Sequence, residues 1–238
     1  TGRILSTYGN VQVHELTQHA GFPYQSSRAA FRWRRLWPWF PSGTVHCCCL
    51  DPQGQGPIVL AVVNNHVLCG FEQELLQAAL PYGWQAEWYV YHVQETQSAA
   101  NSFRARDILA PFIAAMVKDG SVPPQAQTLT VPPEWPHQRP IDERKRQHGT
   151  VIDIDSYGNI ITDLIHDGSL TADLWQVRLG SQCLPVSQRP FADHADLHAR
   201  IGCDRHLVIA IKNASAAHIL GCSINDAVLL SRYNVGEQ

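Results

Sequence analysis

Asp155, Tyr157, Gly158 and Asn159 fall within five consecutive positions of the stretch VIDIDSYGNIITDL, residues 151–164. An acid, an aromatic ring, a glycine and an amide stand side by side there, flanked by Val151, Ile152, Ile160 and Ile161. Such a set suits contacts to a ligand. It equally suits a hairpin, because Gly and Asn tolerate the positive φ that a tight turn demands. A second acid, Asp51, follows directly on the apolar run GTVHCCCL, and Pro52, Gly54 and Gly56 keep the next turn free of bulk. Ligands of open α/β sheets lie just outside the carboxyl ends of the strands, so Asp51 is a site candidate, with capping of the following turn as the competing reading.

A third candidate is SFRARD, which sets Arg104, Arg106 and Asp107 at the start of a helical pattern. Asp107 complements the helix dipole there, and the arginines read equally as site residues or as solvated cations. His194, His198, Cys203 and His206 crowd into HADLHARIGCDRH, but their spacing matches no structural zinc pattern, and no metal is expected. Seven cysteines, three of them consecutive at Cys47, Cys48 and Cys49, show no CxxC pair and predict reduced, buried thiols.

The elements that must hold these residues are legible from periodicity. In the first half, VQVHEL, TVHCCCL, IVLAVV and WYVYHV read as strands, and FEQELLQAAL and ARDILAPFIAAMVKDG as helices, the latter ending at Gly120. This alternation predicts an α/β N-terminal domain with a mainly parallel sheet over residues 1–122. Residues 123–147 are rich in proline, carry the charge run DERKRQ, and read as an exposed linker. Over residues 148–238 the runs TVIDID, NIITDLI, WQVRLG, QCLPVS, LHARIG, LVIAI and AVLLSRY predict a small antiparallel β-barrel or sandwich.

With 238 residues, 45% of them apolar, the chain has ample material for a core. A formal net charge of -3 provides no global basic surface, so a small ligand is expected and nucleic acid is not. No apolar run approaches a membrane span and the first residues lack a signal-peptide centre, which points to a cytoplasmic protein without a membrane partner.

Taken together, FPSGTVHCCCLDP, SFRARDILAPFIAAMVKDG, VIDIDSYGNIITDL and IAIKNASAAHILG, in that order and at those separations, resemble the S-adenosylmethionine hydroxide adenosyltransferases, relatives of the fluorinases and chlorinases. The resemblance runs from GRILS to LLSRY and is strongest in YGNIITDL. It implies an α/β domain followed by a small antiparallel β-domain, and a homotrimer whose ligand lies between neighbouring subunits. It implies that the 151–164 segment closes over an adenosyl ligand: Asp155 binds the methionine amino group, Tyr157 packs on the ligand, and Asn159 hydrogen-bonds adenine. A carboxylate pairs with an ammonium, and an amide offers the donor and acceptor of an adenine edge. Main-chain groups at Asn213 and Ala214 would read adenine as well, and Arg205 would hold the methionine carboxylate, which Asp204 would repel unless paired. S-adenosylmethionine enters as substrate, and no separate cofactor is implied.

Departures from the family pattern concentrate in the first half. In hydrolytic members an Asp, an Arg and a His prepare water to attack the ribose C5′, with methionine leaving. Asp51 matches the Asp of the family's VDPGVG, but DPQGQGPIVL puts Pro57 and Ile58 where the Arg is expected. The His of TFHGRD is replaced by Arg104, PDNG reads FEQE from Phe71 to Glu74, and the chain starts at a stretch matching the end of the first helix, without the TDFG strand. Arginine stays cationic and cannot accept a proton as a neutral imidazole can, so any base would be Asp51 or another group. The expected function is adenosyl transfer from S-adenosylmethionine to water, giving adenosine and methionine, through a degenerate catalytic site. The alternatives are an inactive adenosyl- or nucleoside-binding relative, or a trimeric scaffold whose Trp33, Trp37 and Trp39 meet a protein partner.

Overall fold

The computed structural model describes residues 2–16, 26–50, 56–93, 103–168, 170, 174–187 and 196–232. The chain divides into two compact units, 1–135 and 136–238.

The first unit is built on a five-stranded sheet ordered β1-β3-β2-β4-β5, formed by Val45–Cys47, His66–Gly70, Ile58–Val63, Glu87–Tyr91 and Gln127–Leu129 respectively. Strand β2, IVLAVV, is buried nearly throughout, as a strand covered on both faces requires. Its residues alternate between two cores. Val59, Ala61 and Val63 pack with Ala30 of α2 (Ser26–Arg34) and Leu75 and Leu76 of α3 (Gln73–Ala78). Ile58 and Leu60 pack with Ile4 of α1 (Gly2–Thr7) and Ile113 of α4 (Ala110–Asp119). The unit is thus a three-layer α/β/α arrangement.

This sheet is mixed, and the expected mainly parallel pairing is corrected: only β1 and β3 pair in parallel, while β2–β3, β2–β4 and β4–β5 are antiparallel. The physical cause is Asn64-Asn65, whose φ angles of 47° and 62° make the left-handed two-residue turn that folds β2 straight back into β3. The VQVHEL stretch also forms no strand. Val11 and Val13 satisfy their alternation by packing against the Ile58–Ile113 core instead of pairing with a sheet edge.

α4 follows a π-helical turn, Ala105–Leu109, and ends at Gly120, whose φ of 68° lets its N–H reach Met116 O. The proline-rich stretch 123–147 is largely exposed but holds β5 and a two-residue strand β6 (Arg139–Pro140). It is tied down by Gln77 Nε2 on Pro132 O and by Trp135 Nε1 on Trp84 O.

The second unit contains β7 (Gln147–Ile154), β8 (Ile160–Ile165), β9 (Trp175–Leu179), β10 (Gln182–Pro185), β11 (His198–Ile201), β12 (His206–Ala210) and β13 (Ala227–Arg232). They pair antiparallel in the order β10-β9-β13-β7-β8-β12-β11, with β6 added in parallel to β8. A parallel bridge between Val186 and Ala199, with Ser187 N donating to Ala199 O, brings the two ends of the sheet together into a nearly closed barrel. Trp175, Val177, Ile160, Leu164, Leu207 and Leu230 fill its interior. Among the described residues no helix is long and apolar enough to cross a membrane.

Candidate functional site

The five residues Asp155–Asn159 connect β7 to β8, and the aspartate organises them. Asp155 Oδ1 accepts from the main-chain N–H groups of Tyr157 and Asn159, each at 2.9 Å, and Oδ2 accepts from Asn159 Nδ2 at 2.8 Å. The main chain closes the same loop through Asp155 N to Asn159 O and Gly158 N to Asp155 O. The segment is therefore a turn held by its own acid, the conformation short polar side chains favour between strands. The turn does not exhaust its polar groups. A carboxylate oxygen accepts twice, so Oδ2 retains one free acceptor direction, and no described donor reaches the Asn159 amide oxygen.

Gly158 sits at φ 81° against Ser215, where a Cβ would overlap Ser215 Oγ and lie 2.5 Å from Ser215 Cβ. Its carbonyl accepts from Ala217 N at 3.0 Å. Ser215 is the N-cap of α5 (Ala216–Leu220), its hydroxyl accepting from His218 N at 3.1 Å. The β7–β8 turn is consequently clamped onto the loop that follows β12, and that loop carries Asn213 (φ 59°) and Ala214. Both residues are exposed, and among the described residues their main-chain N–H groups donate to no protein acceptor. The structure thus brings Asp155, Asn159, Asn213 and Ala214 to one end of the barrel. Tyr157, 79% exposed, projects from the same turn.

Arg205 lies elsewhere. It occupies the β11–β12 turn at φ 72°, its carbonyl accepts from His166 N just past the end of β8, and its guanidinium pairs with Asp167. Asn159 precedes the first residue of β8, so within this unit the two stand at opposite ends of a six-residue strand, roughly 20 Å apart. Within this unit the structure does not gather Arg205 with the other five.

In the first unit Asp51 falls outside the described residues. Arg104 precedes the π-turn and is buried; its Nη2 donates to Gly56 O and its guanidinium sits 4.2 Å from the Phe71 ring centroid. Arg106 beside Asp107, at 2.7 Å, holds that carboxyl below its usual range. Of the histidine–cysteine cluster, His194 lies outside the described residues, while His198 and His206 turn their Nδ1 atoms to the carbonyls of Asp196 and Thr162. The cysteines are free, but only Cys69 is fully buried.

The position that sequence reading missed is Ser215. Its signal was present: a serine directly before AAHIL, a short helical run after a strand, is an N-cap pattern.

Comparison with known proteins covers both units. The family model described as the SAM hydroxide adenosyltransferase N-terminal domain matches residues 1–126, and the one for the C-terminal domain matches residues 149–229. Among solved structures, an uncharacterized conserved protein from Thermotoga maritima superposes with a TM-score of 0.75 at 19% identity, covering 97% of this chain and 93% of that one. A conserved hypothetical protein from Thermus thermophilus gives 0.72 at 21% identity, covering 97% and 91%. At these identities the two structures establish a shared fold. No curated protein matches the sequence.

Proposed function

This chain belongs to the SAM hydroxide adenosyltransferase family, and we propose that it binds S-adenosylmethionine at the Asp155–Asn159 turn and transfers its adenosyl group to water. The observation that carries this reading is the turn clamped on Ser215: it presents a carboxylate oxygen, an amide oxygen and two undonated main-chain N–H groups at one end of the barrel. That set is complementary to the ligand. Asn159 Oδ1 accepts from the adenine amino group, a main-chain N–H at Asn213 or Ala214 donates to a ring nitrogen, and Asp155 Oδ2 takes the methionine ammonium.

In the reaction, a water oxygen forms a bond to the ribose C5′ while the C5′–sulfur bond breaks and its electron pair returns to sulfur. The sulfonium becomes the neutral thioether of methionine, and the water proton passes to a base. Asp51 is the proposed acceptor, since Arg104 cannot serve. We place the active form in a homotrimer, as the family resemblance implies.

One observation favours a second reading, ligand binding without turnover. Arg104 is buried and engaged by Gly56 O and the Phe71 ring, so the position where the resemblance expects a catalytic imidazole is filled by a fixed cation. Incubation with S-adenosylmethionine, adenosine being followed by chromatography and binding by calorimetry, separates the two. Adenosine formation supports hydrolysis, and binding without it the second reading. Absence of both overturns the assignment of the turn to an adenosyl ligand.

A further inference from the structure

The charge run that reads as linker in the sequence has a definite position on the barrel. On the outer face of β10–β9–β13, Arg178 pairs laterally with Cys183 and Leu229, and Gln176 with Ser231. Strand β7 pairs with β13 so that Gln147 faces Leu230, which carries Arg144, Lys145 and Arg146 alongside Ser231 and Arg232 at the rim of that face. These elements surround a cavity of about 580 Å³ whose lining includes five cations, Arg144, Lys145, Arg146, Arg178 and Arg232, and no carboxylate.

Among the described residues Asp142 approaches, accepting from Arg144 at 2.9 and 3.0 Å and lying 3.7 Å from Lys145. Arg146, Arg178 and Arg232 make no ion pair with any described residue. On a chain of formal net charge -3, this is local concentration of charge and not a consequence of composition. Cations gathered around a concavity raise the potential inside it and attract anions.

We propose that this groove binds an oligophosphate, the shared chemistry of an inorganic polyphosphate and of a nucleotide's phosphate tail. Arginine forks match phosphate oxygens in pairs, and several of them around one cavity suit a chain of phosphates better than a single carboxylate. No aromatic residue is part of the lining, so the stacking platform that holds single-stranded nucleic acid is missing. The groove is also separate from the adenosyl turn: Arg146 directly precedes β7 and Asp155 directly follows it, with eight residues, about 25 Å of strand, between them. The inference therefore stands independently of the proposed reaction.

The test is calorimetric titration of the full chain with inorganic tripolyphosphate, ATP, adenosine and a short RNA at about 50 mM and about 200 mM salt. Tripolyphosphate is expected to bind, more weakly at the higher salt. Arg178→Gln and Arg146→Gln, both at exposed positions, are each expected to weaken it about tenfold, whereas Lys118→Gln in the other unit leaves it unchanged. Adenosine is expected not to compete. Equal affinities for ATP and tripolyphosphate identify the phosphate chain as the whole ligand, and tighter ATP binding that Arg178→Gln weakens and saturating adenosine leaves in place identifies a nucleotide at this groove; either supports the site. The proposal is overturned by absence of tripolyphosphate binding at the lower salt, by affinity that both Arg variants leave intact, or by a short RNA that binds more tightly than either phosphate compound in an Arg178-dependent way.

Discussion

Asn159 donates its side-chain amide to Asp155 Oδ2 at 2.8 Å, so two residues that the family resemblance assigns to opposite ends of a ligand form one hydrogen-bonded unit. The resemblance implies that Asp155 acts on the methionine ammonium alone and Asn159 on adenine alone. The structure couples them. Asp155→Asn confronts the Asn159 amide nitrogen with a second amide, and the simplest relief turns the Asn159 oxygen inward, away from adenine. This substitution is thus expected to weaken adenosine as well as S-adenosylmethionine, by about tenfold for the latter. Combined with Asn159→Ala it should weaken binding by less than the product of the single effects. Calorimetry on the three variants checks this, and unchanged adenosine affinity in Asp155→Asn refutes the coupling.

Gly158→Ala tests the clamp. The new methyl group has no room beside Ser215 Oγ and Cβ, and the φ of 81° is unfavourable for alanine. A loss of roughly 2–4 kcal/mol is expected from strain and displacement together. Ser215→Ala removes only the cap of α5 and is expected to cost about 1 kcal/mol. Denaturant unfolding of both variants checks the order, and equal losses would mean that the turn yields without strain.

The barrel was readable because each of its seven principal strands, from TVIDID to AVLLSRY, is a short apolar run with its own turn signal, and pairing between neighbours needs little beyond that. The first sheet was less so, since a buried strand such as IVLAVV is apolar whether its neighbour runs with it or against it; direction was set by Asn64-Asn65, a turn signal whose conformation depends on both φ angles. At the site, residue types pointed to the Asp155–Asn159 turn, but the clamp by Ser215 joins positions nearly sixty residues apart in sequence. Contacts of that kind carry no local periodicity. Arg205, carried over from a family position, lies within this unit at the opposite end of β8 from Asn159.

The first unit buries a histidine pair that is expected to make its stability acid-sensitive. His46 Nε2 and His66 Nδ1 lie 3.2 Å apart, both rings buried, against Trp37. Burial, with the neighbouring His66, pushes His46 down to about 4, and burial lowers His66 as well. The unfolded chain takes up a proton at His46 near pH 6.5 and the folded chain only near pH 4. Between these values the unfolded state binds more protons, so stability is full above pH 6.5 and declines as pH falls through the window, by about 3 kcal/mol for His46 alone. Denaturant midpoints followed by tryptophan fluorescence at pH 7 and pH 5 should fall more steeply in wild type than in His46→Gln. Identical slopes would show that the pair does not carry the effect.

The final prediction concerns position 104. Arg104 is fixed by Gly56 O and by the Phe71 ring, and a guanidinium does not replace a neutral imidazole as proton acceptor. Adenosine formation by wild type is therefore expected to lack an inflection near pH 6.5, since no imidazole at this position changes charge there. Arg104→His adds such a group. Its rate should rise through that region as the imidazole becomes neutral and able to take the proton of the attacking water. The exchange has a cost, because Gly56 O loses its donor, and roughly 1–3 kcal/mol of stability should go with it. Initial rates from pH 5 to 9, with unfolding measured in parallel, separate the two effects. An inflection already present in wild type would mean that the working base is a group titrating near neutrality and not a carboxylate of ordinary acidity at Asp51. If wild type binds S-adenosylmethionine without forming adenosine and Arg104→His acquires turnover, the chain is a ligand-binding relative whose chemistry was lost at this side chain.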